Sequence, residues 1–246
     1  MSGLHIRDLS LTLGDTPVLD GLSLDVRAGE FVSILGPSGC GKSTLFRLLI
    51  GELAPDKGRI TLEGADPRAG FAFMPQRDAL MPWRRIIDNV TLGLEVQGMA
   101  RAPARAKAMP LLAEFGLKGF ERHYPAQLSG GMRQRAALLR TVIQGRAVQL
   151  LDEPFGALDA LTRARLQGWL EERWQHAGWT TLLVTHDVRE AVALSDRIYV
   201  LSPRPARVIR EIAVTAPRPR LGRPLPADAH AIEQQILDTL LSHAGD

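Results

Sequence analysis

Three kinds of apolar spacing divide the chain. Leu22, Leu24 and Val26 alternate with polar residues, which predicts a half-buried antiparallel strand. Phe31-Val32-Ser33-Ile34-Leu35 is a short apolar run ending at a glycine, the pattern of a buried central strand. Leu45, Leu48 and Leu49 then recur on one helical face until Gly51, the predicted C-cap. Residues 77–127 change character. Pro82, Gly93, Gly98, Pro103, Pro110, Gly116 and Gly119 punctuate segments of helical period such as Ile86, Ile87, Val90 and Leu94, which predicts a small helical insert. Helix–strand alternation returns over 128–202, with strands expected near 147–151, 180–184 and 197–201, and implies a mainly parallel sheet with helices on its faces. From Pro203 the chain is rich in arginine and proline, as in Ala216-Pro217-Arg218-Pro219-Arg220, before a last predicted helix near 228–242.

Composition narrows the class. The chain has 246 residues, 45% hydrophobic and 23% charged, as expected of a soluble globular protein with a sizeable core. No apolar run approaches the ~18 residues of a membrane span. The segment from Met1 to Asp8 lacks a basic stretch followed by an apolar one, so no secretory signal is read there. Work at a membrane is therefore expected to pass through a partner. One cysteine, Cys40, excludes an internal disulfide and fits a reducing compartment. A net charge of +3, carried by arginines spread along the chain and read as solvated surface, gives no stripe for tracking phosphates, so no nucleic-acid partner is expected.

The chemistry lies at the ends of the predicted strands. Gly36-Pro37-Ser38-Gly39-Cys40-Gly41-Lys42-Ser43-Thr44 fits G-x-x-x-x-G-K-[ST] between a strand and a helix, the context that makes it a phosphate loop. Its glycines let consecutive amides turn toward a phosphate at a helix N-terminus. Lys42 reaches the β- and γ-phosphates in this reading, and Ser43 ligates Mg²⁺. Asp152 ends the strand Val148-Gln149-Leu150-Leu151 at the same sheet edge and is the second Mg²⁺ partner, while Glu153 is free to polarise an attacking water. His186 follows Thr181-Leu182-Leu183-Val184 and reaches that edge too, for a γ-phosphate contact; the other five histidines sit in surface-like contexts. Ser129-Gly130-Gly131 opens another helix and makes a second anion site. One nucleotide is not easily held by both loops of one chain, so a site shared between two chains is expected.

These segments, with Leu128-Ser129-Gly130-Gly131-Met132-Arg133-Gln134 the most specific, resemble an ATP-binding-cassette (ABC) ATPase over roughly residues 4–215. The resemblance implies an α/β P-loop NTPase fold. That fold has a RecA-like core of mainly parallel sheet (4–76 and 128–215), an antiparallel β subdomain, the helical subdomain at 77–127 and a tail at 216–246, all in one cassette domain. It implies that Gly36–Thr44 is the Walker A loop and Gln76 the Q-loop residue, a Mg²⁺ and water contact. Ser129 to Gly131 becomes the signature, Asp152 and Glu153 close Walker B, Asp159 lies in the D-loop, and His186 is the switch histidine. It also implies a head-to-tail dimer that sandwiches two ATP molecules.

Arg77 to Arg85, with Pro82-Trp83, is similar to the nitrate, sulfonate and taurine importer ATPases. That similarity implies a peripheral subunit on the cytoplasmic face of the inner membrane, working beneath permease subunits fed by an extracytoplasmic solute-binding protein. Trp83 is read as an anchor of the permease contact, with core packing as the alternative. The insert also resembles that of importers of thiamine pyrimidine precursors, and an exporter or lipid-handling cassette is the rival class. DNA-repair cassettes carry coiled-coil or zinc insertions that are missing here, and translation-factor cassettes carry two ATPase units. A GTPase would need Asn-Lys-x-Asp, whereas the sole asparagine, Asn89, precedes Val90. A nucleotide kinase would lack the second glycine loop.

Two departures stand out. Where relatives stack adenine on an aromatic ring, this chain has Leu13, with no Phe, Tyr or Trp before Phe31. Base–aromatic stacking is worth ~1–3 kcal/mol, and about 1.4 kcal/mol is tenfold. GTP is therefore expected to be hydrolysed within about tenfold of ATP, and nucleotide competition on the reconstituted complex checks it. The second departure is Gln149 in an apolar strand, which must find a hydrogen-bond partner or lie at a partly exposed face.

Overall fold

A computed structural model describes residues 3–63, 70–218, 220–221 and 227–243. The leader reading at Met1 and Ser2 falls outside those residues, as do Pro219, 222–226 and 244–246 of the expected tail.

The alternating segment is the end of β2 (Thr16–Val26), which pairs antiparallel with β1 (Leu4–Leu13), Leu4 opposite Val26 and Leu13 opposite Thr16. The other edge of β1 pairs antiparallel with β4 (Lys57–Leu62), giving a three-stranded sheet. β3 (Phe31–Leu35) belongs to a second sheet of six strands, in the order β5 (Phe71–Met74), β6 (Val148–Asp152), β7 (Thr180–Val184), β3, β8 (Arg197–Leu201), β9 (Val208–Ala213). All neighbours in it are parallel except β9, which runs against β8.

β3, β6 and β7 are buried at every position, as their unbroken apolar runs require of strands covered on both faces. Successive side chains serve opposite cores. Val32, Ile34, Leu150 and Leu182 pack with the three-stranded sheet and with α1 (Lys42–Leu49). Phe31, Leu151 and Leu183 face the helical side, formed by α2 (Ile86–Val90), α3 (Leu92–Val96), α4 (Arg101–Glu114), α5 (Gly130–Val142) and α6 (Ala160–Ala177). The insert thus shares its core with α5 and the sheet. A third core lies between β8, β9, α7 (Val188–Leu194) and α8 (Ala227–Ser242). No helix among the described residues is long and apolar enough to cross a membrane.

Several expectations need adjusting. α1 ends at Leu49 and is capped by Ile50; Gly51 follows it with φ 75°, the left-handed turn that ends the helix. β9 lies within the arginine- and proline-rich stretch, its apolar Val208, Ile209 and Ile212 broken up by charges. The arginines there are also not all solvated. Arg220 is 4% exposed and donates to the carbonyls of Ala216, Val192, Ser195 and Val214. Arg218 bridges Glu171 and Asp196 and lies over the Trp174 ring at 4.4 Å. The pair fastens the chain after β9 to the main sheet's helical side. Trp83, by contrast, is 73% exposed, which removes core packing as its role.

Gln149 is fully buried, so a partly exposed face is excluded. Its amide nitrogen donates to the Arg146 carbonyl at 2.8 Å, but Oε1 has no partner among the described residues. An orphaned buried acceptor costs about 1–3 kcal/mol, more than a typical hydrogen bond contributes. Gln149→Leu is therefore expected to raise the unfolding free energy by about 1 kcal/mol in urea denaturation. A lowered midpoint at unchanged slope would mean that the bond to Arg146 outweighs the orphaned oxygen.

Candidate functional site

The loop between β3 and α1 wraps the helix N-terminus. Gly41 adopts φ 129°, and a Cβ there would lie 3.3 Å from the Val18 carbonyl, so a side chain at this position would meet both backbone strain and β2. Lys42 is buried and folds onto its own loop, donating to the carbonyls of Gly36 at 2.7 Å and Pro37 at 2.8 Å. Loop residues including Ser38, Gly39, Ser43 and Thr44 line a cleft of about 250 Å³ together with Gln76, Glu153 and Arg204. Cys40 points inward: burial pushes its thiol up, against the opposing pull of Lys42 and, more weakly, Arg204. A raised thiol is poorly reactive, which leaves Cys40 as a small residue fitted to a tight loop.

Asp152 closes β6 opposite Val184 of β7, so the two strand ends lie at one edge beside the loop. Its carboxyl is 2% exposed. Burial pushes it upward, offset by a hydrogen bond with Ser43 and by the charge of Lys42. Oδ1 has no partner among the described residues. A buried carboxylate oxygen left over beside a serine hydroxyl suits a hard divalent cation, which takes one or two protein oxygens and completes its shell from phosphates and water. No group of three or more His, Cys, Asp or Glu that would form an all-protein cage occurs among the described residues.

Glu153 takes φ 49°, a left-handed conformation uncommon outside glycine, costing of order 1–3 kcal/mol. Three bonds hold it there: its N–H donates to the Val184 carbonyl at 2.9 Å, and its carbonyl accepts from Gln134 Nε2 at 2.8 Å and from the Gly156 N–H at 3.3 Å. The turn separates the Glu153 side chain from that of Asp152 and brings Oε2 to 3.4 Å from His186 Nδ1. His186 is exposed, on a loop tied down at both ends. The Asp187 N–H donates to Thr185 Oγ1, Asp187 Oδ1 caps α7 by accepting from the Glu190 N–H, and Arg163 lies 3.6 Å from Asp187.

The expected residues thus fall into two groups. Gly36 to Thr44, Gln76, Asp152, Glu153 and His186 converge on the sheet edge. Ser129 and Gly131 do not line that cleft. Ser129 caps α5, its Oγ accepting from the Met132 N–H at 3.3 Å, and Gly131 lies under the Ala157 carbonyl, 3.3 Å from where a Cβ would sit. Asp159 caps α6, Oδ1 accepting from the Thr162 N–H at 3.0 Å. Gln76 lines both the loop cleft and a second cleft with Gly130 and Gln134, and so sits between the groups.

Sequence reasoning missed the supports. Arg133 binds Asp78 at 2.9 Å and the Leu128 carbonyl at 2.8 Å, and Arg140 donates to the carbonyls of Ala79 and Asp78, so α5 carries the segment after Gln76. Gln134 joins α5 to the Glu153 turn and accepts from the Ala157 N–H at 2.7 Å. Arg133 and Gln134 stood in the quoted signature; their partners are distant in sequence. Arg204 carried no signal.

Residues 19–156 match the ABC transporter family. Over 244 residues the chain is 45% identical to the aliphatic sulfonates import ATP-binding protein SsuB of Rhodopseudomonas palustris, spanning 99% of this chain and 85% of that protein. It is 43% identical over 214 residues to the taurine import ATP-binding protein TauB of Yersinia pestis, spanning 86% and 84%. Among solved structures, the dimeric post-hydrolysis state of the ATP-binding cassette MJ0796 bound to ADP and Pi matches with a TM-score of 0.78 at 28% identity, covering 86% of this chain and 98% of that one. The phosphate loop at the strand edge, the glycine turn that opens α5 and this near full-length likeness agree: the chain belongs to the ABC transporter family, as an ATP-binding cassette.

Proposed function

We propose that the protein is the ATP-hydrolysing subunit of an importer, energising uptake of a small anion such as a sulfonate, taurine or nitrate. The observation that carries the proposal is the convergence of the phosphate loop, Asp152, Glu153 and His186 on one sheet edge, in a chain whose near full-length relatives bear import names. The loop amides and Lys42 hold the β- and γ-phosphates. Ser43 and Asp152, with Gln76, would hold Mg²⁺, which would supply positive charge against the phosphate oxygens. Glu153 takes a proton from water as its oxygen bonds to the γ-phosphorus. The bond to the bridging oxygen breaks, releasing ADP and phosphate. His186 steadies the γ-phosphate and, 3.4 Å from Glu153, keeps that carboxylate aimed.

Ser129, Gly131 and Asp159 are assigned to the nucleotide of a second copy packed head to tail, because they lie away from their own chain's cleft. ATP binding would close the pair and switch the membrane subunits between access states, and hydrolysis would reset it. The exposed Trp83 within the insert supports contact with a permease subunit. The cassette would then sit on the cytoplasmic face of the inner membrane, with a solute-binding protein acting indirectly from the other side. Reconstitution with its permease in proteoliposomes tests the proposal. ATPase activity is expected to rise when a loaded sulfonate- or taurine-binding protein is added; stimulation by a thiamine-precursor binding protein instead would reassign the solute, and efflux of solute or lipid would sink import.

A further inference from the structure

We propose that Arg204 is a nucleotide-binding residue, its guanidinium plane lying against the purine in place of the aromatic ring that the chain lacks at Leu13. The inference rests on the reading that ATP occupies the phosphate loop.

The strand order fixes which end of the nucleotide Arg204 meets. β3 leads into the phosphate loop; β7 and then β6 lie on one flank, β8 on the other. Glu153 follows β6 and Arg204 follows β8, yet both line the same cleft. A triphosphate whose γ end points toward Glu153 therefore sends its nucleoside out along the flank of Arg204.

The loop that carries Arg204 is built to hold it in place. The Ser202 N–H donates to the Arg207 carbonyl and the Arg207 N–H returns a bond to Ser202 Oγ, both at 3.0 Å, closing a short loop with Arg204 near its tip. That loop is pinned to β2. Ala206 bridges Leu19 in parallel, the Ala206 N–H donates to the Val18 carbonyl at 2.8 Å, the Asp20 N–H donates back to Ala206, and Arg207 pairs with Asp20. Leu19 in turn pairs with Leu11, two residues before Leu13 on the same hairpin. At the end of that hairpin Leu13 stands 40% exposed. Arg204 itself is exposed and has no hydrogen-bond or ion-pair partner among the described residues, unlike Arg207 three positions on.

A guanidinium is planar and weakly hydrated, and it stacks on π faces in a way that an ammonium does not. It is also indifferent to which purine it covers, in keeping with the broad base preference expected from Leu13.

Equilibrium binding of MgATP and of magnesium tripolyphosphate to the full chain tests the inference. Arg204→Ala is expected to weaken MgATP roughly tenfold and to leave tripolyphosphate unchanged, which also shows that the loop is still folded. Arg204→Lys is expected to stay weak, and adding Leu13→Tyr to Arg204→Ala to restore MgATP binding. Unchanged MgATP affinity in Arg204→Ala, equal weakening of both ligands, or full recovery with lysine would each overturn the assignment. Failure of the wild-type chain to bind MgATP at all would instead remove the nucleotide reading on which it rests.

Discussion

Glu153→Gln is expected to bind MgATP as the wild type does, to lose about 10²–10⁴ of turnover, and to accumulate as a closed pair when ATP is added. The amide has the shape of the carboxylate and keeps the backbone turn at φ 49°, whose three bonds involve only the main chain of residue 153. What it cannot do is accept a proton from water. Binding and closure precede that step, so they should survive while hydrolysis stops. Single-turnover hydrolysis and size-exclusion chromatography with ATP give the two readouts. Near-normal turnover would move the base to another group, and loss of binding would show that the substitution disturbs Asp152.

Ser129→Asp is expected to abolish hydrolysis at the level of about 10²–10³ without weakening nucleotide binding to a single copy. Aspartate caps a helix as well as serine does, so α5 should stay intact with its bond to the Met132 N–H in place. In a shared site, however, the added carboxylate would face the phosphates of the neighbouring copy. Because Ser129 lies outside its own chain's cleft, dilute protein should bind MgATP normally, and wild-type turnover per chain should rise with concentration as pairs form. Full activity of the variant, or turnover independent of concentration, would falsify the two-chain site.

Much of the architecture is legible in short apolar runs because fully covered parallel strands leave little choice of residue. Phe31–Leu35, Val148–Leu151 and Thr180–Val184 all lie in the main sheet, and the loop, Asp152 and His186 are at their ends. β9 was not legible, because an edge strand needs apolar residues on one face only and its arginine and glutamate hide the pattern. Arg218 and Arg220 look like surface from composition; they bind carbonyls, carboxylates and a ring brought near by folding alone. In the site, the residues proposed to handle phosphate and water announce themselves by local spacing. Gln134 and Arg133, which hold the neighbouring turns, and Arg204, proposed to meet the purine, act across separations that no local pattern encodes.

The side chain of Gln134 gives α5 a second duty. At its start the helix would address a nucleotide held by the other copy, while four residues on the same rigid rod grips the Glu153 carbonyl and the Ala157 N–H that follows it. Departure of phosphate from beneath the glycine turn would let that rod shift, and the shift would reach the base serving the opposite nucleotide with no intervening loop to absorb it. Two hydrolysis events joined in this way would alternate, each product release resetting the trigger of the next.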